Sequence, residues 1–176
     1  LEEWARVAVI GVPAVLAIAA GQGLRSSGQP ELERGGQLAW LAGEGLVAGT
    51  VAVLTDNAGW DSENVSLAAA VALAVAGLTL WVIAPSHLQV AGVAVALFAL
   101  PMTLGERLAA DSDEGAQAGL FGMAGFGAAA VLLADVGLFR PKLTAQLAAA
   151  ALLGFGTFAG TMAAGDGVTE AILFVV

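Results

Sequence analysis

The sequence predicts an all-α, polytopic integral membrane protein, a bundle of about six transmembrane helices. Three observations carry that prediction. The 176-residue chain is 59% hydrophobic and only 12% charged, about half the roughly 25% charged share of a soluble domain. Its apolar residues gather into six runs, each close to the ~20 residues a helix needs to cross a hydrocarbon core. The runs are rich in Ala and Leu and lack period-2 alternation, so they read as helices rather than as barrel strands. In lipid, a helix also satisfies its own backbone hydrogen bonds.

Taken in order, the runs are 7–24, 37–55, 65–84, 88–105, 115–134 and 143–165. The first contains Pro13 and the fourth Pro101, where kinks are expected. The second, QLAWLAGEGLVAGTVAVLT, is the one run with a charge. Glu44 stands near its middle, between Gly43 and Gly45, with Gly49 one turn on. The third and fourth are joined by the tight turn 85–87. The fifth is glycine-rich and is followed by Asp135; the sixth carries Gly156 and Gly160. The remaining segment, 166–176, is apolar but too short to span. There Asp166 is expected to cap a short helix with Glu170 in its first turn. That segment reads either as a half-helix packed on a partner or as the start of a seventh helix.

The links between runs are short, which sets sequence neighbours side by side and antiparallel. Their charges orient the chain. The first, third and fifth links hold Arg25, Arg34, His87, Arg140 and Lys142, whereas the other side holds Arg6 and Arg107 with most of the acids. By the positive-inside rule both termini are expected outside a cell membrane. Trp4, Trp40 and Trp81 fall near run ends, as interfacial anchors do, and Trp60 lies in a link. The net charge of −9 and five arginines to one lysine would suit a high-salt medium, although GC-rich coding accounts for the Ala, Gly and Arg bias equally well.

Runs one to three echo runs four to six. Pro13 answers to Pro101; residues 36–56 align with 115–135 without gaps, sharing Gly36/Gly115, Gly43/Gly122 and Asp56/Asp135; Leu67-Ala68-Ala69-Ala70 matches Leu147-Ala148-Ala149-Ala150. Three helices per repeat would insert the halves upside down relative to each other, and the acidic link 56–64 against the basic link 139–142 agrees. This 3+3 inverted pattern is common in transporters. The alphabet is so narrow that such matches also arise by chance.

Composition removes much chemistry. There are no cysteines, one histidine and no tyrosine, so disulfides, thiolate metal sites and cysteine nucleophiles are excluded. No lysine lies inside a run, which excludes a retinal Schiff base, and no P-loop, GxSxG or zinc-ligand spacing occurs. No basic patch exists to neutralise phosphates, so nucleic acid is not an expected partner. Asp135 and Gly165-Asp166 are similar to the aspartate pair of intramembrane aspartyl proteases. However, Ala163 stands where that motif has its first glycine, and a spanning run separates the two acids, which must be close to share a proton. No cofactor or metal is expected, and an enzyme is the least favoured reading.

Glu44 is the sharpest candidate. A carboxylate at mid-membrane depth is costly and marks a functional site by default. It reads as a proton- or cation-binding group facing a cavity, or as a hydrogen-bonded link between helices. Asp135 is the second candidate, as a relay carboxylate or as the interfacial ion-pair partner of Arg140 or Lys142. The pairs Gly45/Gly49 and Gly156/Gly160 are GxxxG spacings that permit close helix crossings, within one chain or between copies. Gln22, Gln117, Gln146 and the threonines are further polar groups that could line a path, and threonine hydroxyls are expected to bond their own helix. The expected function is a small channel or transporter for an ion or small solute. The alternative is a non-catalytic membrane subunit or sensor domain packed on partner helices. Its expected partners are the lipid bilayer and a homo-oligomer or larger membrane complex.

Overall fold

A computed structural model describes residues 2–108 and 112–163 of the chain; segment 166–176, with the expected cap at Asp166, lies outside the described residues. These residues form α1 (Glu2–Arg25), α2 (Pro30–Asn57), α3 (Ser62–Ile83), α4 (His87–Leu108), α5 (Ser112–Asp135) and α6 (Lys142–Ala163), and no strand occurs among them. Six helices are long and apolar enough to cross a membrane, consistent with a multi-pass membrane protein.

Most helices run past their apolar cores. α1 begins at Glu2 and α2 at Pro30, well before the apolar runs at 7 and 37. Backbone hydrogen bonding does not stop where apolar side chains stop. Pro30 supplies a fixed φ at the start of α2, and Glu31 and Glu33 sit in its first turn, at the positive end of the helix dipole. Asp61 caps α3 by accepting from the Asn64 N–H at 2.8 Å. α2 and α5 end alike. Gly59 and Gly137 take left-handed φ values of 78° and 80°. These turns let Trp60 N–H reach the Thr55 carbonyl at 3.1 Å and Leu138 N–H reach Leu133 at 3.0 Å, the Schellman closure. Both proline-containing helices, α1 and α4, continue through Pro13 and Pro101. Thr50, Thr79, Thr103, Thr157 and Thr161 each donate to a carbonyl of their own helix, as expected.

The chain divides into two compact units. One runs through residue 96 and contains α1, α2, α3 and the first half of α4; the other starts at residue 97. In the first unit α2 packs on both α1 and α3. Its crossing with α1 is very close: a methyl group added to Gly36 would lie 2.6 Å from the Gly21 carbonyl oxygen, and one on Gly43 2.8 Å from Ile18 Cγ1. Trp40 fills the slot opposite Gly21, where any side chain would collide with the indole. Its N–H donates to the Ile18 carbonyl at 3.1 Å. Trp40, expected as an interfacial anchor, is therefore a core residue, only 2% exposed. Gly21 leaves the space the indole fills, and a helix carbonyl satisfies the ring nitrogen.

In the second unit α5 is the middle helix. Added methyl groups would lie 2.5 Å from Gly119 N at Gly105, 2.5 Å from Leu153 N at Gly127, and 2.6 Å from Ala124 N at Gly156. Small residues thus bring backbones together, the usual source of packing where lipid removes the hydrophobic drive between helices. Large apolar side chains meanwhile face outward, among them Val12, Val15 and Leu16 on α1 and Leu143 and Leu147 on α6. Exposed apolar surface of this extent is a liability in water and ordinary in lipid.

Candidate functional site

The first unit holds the site. Gly36, Trp40, Gly43 and Glu44 are the buried residues of α2, spaced at i, i+4, i+7 and i+8, which makes one helix face. Two glycines from other helices meet that face at Glu44. A methyl group at Gly77 of α3 would lie 3.5 Å from Glu44 Oε2. One at Gly92 of α4 would collide with Oε2 and lie 3.2 Å from Glu44 Cδ and 3.1 Å from Leu41 Cδ1. The carboxyl group therefore occupies space that any residue but glycine at position 92 would need. It sits where α2, α3 and α4 come together, near the middle of α2, with ~20 Å of helix on either side.

Glu44 is fully buried. Neither of its oxygens has a hydrogen-bond partner among the described residues. Gln89 of α4 is also fully buried, and its side-chain nitrogen and oxygen likewise have none. Gln89 stands one turn before Gly92 on the same face of α4. The backbone N–H of Gln89 donates to the Ser86 hydroxyl oxygen at 3.2 Å. An unpaired buried polar group costs about 1–3 kcal/mol, so this pair of side chains works against stability. Chemically, a carboxyl group with no cation beside it can hold its own proton or take up a small cation. The Gln89 amide oxygen is a neutral ligand type, carried on the same face of α4 as Gly92.

Gln89 was not among the sequence candidates. It lies close to the turn 85–87, where a glutamine passes for an interfacial residue. The available signal was the spacing of Gln89, Gly92, Val93 and Ala96, all buried, which form one i, i+3, i+4, i+7 stripe.

The other candidates lie elsewhere. Asp135 is on the last turn of α5, where its Oδ1 is 3.1 Å from Lys142 Nζ in an exposed ion pair. Gly156 and Gly160 pack against α5, and a methyl group added at Gly160 would lie 3.1 Å from the Phe121 ring. Gly49 makes ordinary contact with Ile10, whereas a methyl group at Gly45 would meet nothing within 4 Å. The close approach suggested for Gly45 lies instead at Gly43, because Gly43 and not Gly45 falls on the buried face of α2. Among the described residues no group of three or more His, Asp or Glu could hold a metal ion.

The chain matches no protein-family model, and no curated protein or solved structure is significantly similar to it.

Proposed function

We propose that the protein is a small multi-pass transporter or channel of the cell membrane, moving a proton or small cation, with Glu44 as the group that binds it. The observation that carries this reading is the Glu44 carboxyl group, fully buried at the meeting of three helices with neither oxygen hydrogen-bonded among the described residues. A carboxyl group that served only to tie helices together would be expected to donate or accept across the interface, since interhelical hydrogen bonds are how polar side chains act as glue in lipid. The unpaired Gln89 amide in the same unit adds a neutral oxygen donor. In this reading both termini face outward and the basic links face the cytoplasm. The halves of the chain would then be inverted repeats with α2 and α5 as counterparts; both helices end in the same kind of glycine turn, one position out of the 36–56 to 115–135 register.

A second reading has one observation in its favour. The outer face of α1 and α2 carries an apolar groove of about 560 Å³ lined by Val7, Gly11, Val15, Val47 and Val51 among others, which would suit a helix of a second copy or of a larger complex.

Flux separates the two. Purified protein is reconstituted into liposomes, and proton and alkali-cation movement are followed with entrapped fluorescent probes for wild type and Glu44→Gln. Wild type should conduct above empty vesicles, and Glu44→Gln should lower the rate at least about tenfold, the loss expected when one charged ligand is removed from a transition or binding state. If wild type moves none of these ions, and Glu44→Gln changes only stability, the transport reading fails and the subunit reading stands.

A further inference from the structure

One cavity in the first unit stands apart from Glu44. It measures about 210 Å³ and is lined by Gln22, Arg25, Ser26, Trp40, Ile83 and Ala84. It opens at the end of the unit where α1 finishes and α3 turns into α4. Arg25 is the last residue of α1. Its guanidinium carbon stands 4.3 Å from the centre of the Trp40 ring, a cation–π contact that fixes the plane of the group. Arg25 Nη1 is buried and has no hydrogen-bond partner among the described residues. The acids nearest Arg25 in sequence, Glu31 and Glu33, are exposed on α2. Trp40 cannot swing away to release Arg25, because its own N–H is held by Ile18.

We propose that this cavity is a binding site for a phosphate-bearing anion. Arg25 supplies the charge and a planar fork of donors, the geometry that suits phosphate oxygens. The Gln22 amide, exposed at the rim, supplies a further donor. The Ser26 hydroxyl already donates to the Gly23 carbonyl at 2.9 Å and so leaves the charge recognition to Arg25. The size fits a phosphate group with a short ester arm and falls below the ~300–1,000 Å³ of pockets for drug-sized ligands. The height also fits. In the membrane orientation proposed above, on which this step rests, the end of α1 that carries Arg25 lies on the basic side at headgroup depth, where basic pockets between helices take anionic headgroups. The same chemistry would accept free phosphate.

The test titrates the purified chain in detergent micelles with inorganic phosphate, and separately with dioleoylphosphatidylglycerol in mixed micelles. Ionic strength is held constant with chloride as the reference anion. The melting temperature is followed, and native mass spectrometry counts bound lipid. Wild type should be stabilised saturably by one or both: a rise with phosphate identifies the free anion, and a rise with the lipid alone, with one tightly held adduct, identifies the headgroup. Arg25→Gln should weaken that binding about tenfold or more, while Arg34→Gln, an exposed arginine outside the cavity, should leave it as in wild type. Ala84→Phe keeps Arg25 and fills the cavity, so it too should weaken binding about tenfold or more, and it decides the matter if Arg25→Gln does not fold. No saturable rise with either ligand in wild type overturns the proposal. So does wild-type affinity in Arg25→Gln or in Ala84→Phe.

Discussion

Gly92→Ala tests the placement of Glu44 directly. The new methyl group would meet Glu44 Oε2 in hard collision, Glu44 Cδ at 3.2 Å and Leu41 Cδ1 at 3.1 Å, against an optimum of ~3.5–4.0 Å between carbons. Leu41 Cδ1 is the far end of a flexible side chain and can give way. The Glu44 carboxyl group is held between α3 and α4, so the helices must part or the side chain must leave its rotamer. Overpacking of this kind costs about 1–3 kcal/mol, partly offset by the ~1 kcal/mol that alanine gains over glycine inside a helix. A net loss of up to about 2 kcal/mol follows. In a Glu44→Ala background the obstacle is gone, only the Leu41 contact remains, and the same substitution should be neutral or mildly stabilising. The two sites should therefore couple by about 1–3 kcal/mol, the range for residues in direct contact. The assay is a double-mutant cycle on four proteins, unfolded reversibly in mixed micelles and followed by far-UV circular dichroism. If Gly92→Ala is equally destabilising in both backgrounds, Glu44 does not sit against Gly92, and the site described above is wrong.

Three further outcomes are expected. Gly156→Ala should lose about 1–3 kcal/mol, because its methyl group would meet α5 backbone, Ala124 N at 2.6 Å and Leu120 O at 2.7 Å, which cannot rotate aside; Gly45→Ala, open on all sides, should gain up to ~1 kcal/mol, and equal melting temperatures for the two would contradict the packing. Trp40→Phe keeps most of the ring but removes the donor to Ile18, so a loss of about 0.5–1.5 kcal/mol is expected in thermal unfolding; no loss would mean the indole N–H is not engaged. Lys142→Ala breaks only an exposed pair and should change stability by less than ~1 kcal/mol, while leaving any liposome flux at the wild-type rate; a collapse of flux would make Asp135 part of the path.

The helices were legible because their signal is collective. Twenty apolar residues in a row survive any single misreading, and the six runs fall inside or within two residues of the helices α1 to α6. Their ends were less legible, since Glu31, Glu33 and Pro30 are polar or helix-breaking in composition yet favour a helix start. Glu44 stood out because a lone charge in an apolar run is rare. Its surroundings did not, because Gly77 and Gly92 look like every other glycine among the 24 in the chain until a carboxyl group is seen to lie against them. Trp40 was misplaced for a related reason: position along a run gives depth in the membrane, but only the rotation of the helix decides whether a side chain faces lipid or a neighbour. Gln89 was lost in the same way. The faces are weakly marked in this sequence, because alanine and glycine line both the buried and the exposed sides.

In the transport reading, Glu44 and its glycines are more than a tolerated defect. Two of the helices around the carboxyl group carry glycine where it touches them, and glycine in a helix is itself less favourable than alanine by ~1 kcal/mol. The group has no hydrogen bond in return among the described residues. A methionine or leucine in its place would remove the unpaired oxygens and fill the same space, which is the direction in which selection for stability alone would move the sequence. Residues that oppose stability at a packed, central position are what a functional site leaves behind. The same reasoning does not reach Asp135, whose exposed partner at 3.1 Å gives it a sufficient role as an ion pair. The distinction between the two carboxylates rests on burial and partners, and it makes Glu44 the residue on which a transport function stands or falls.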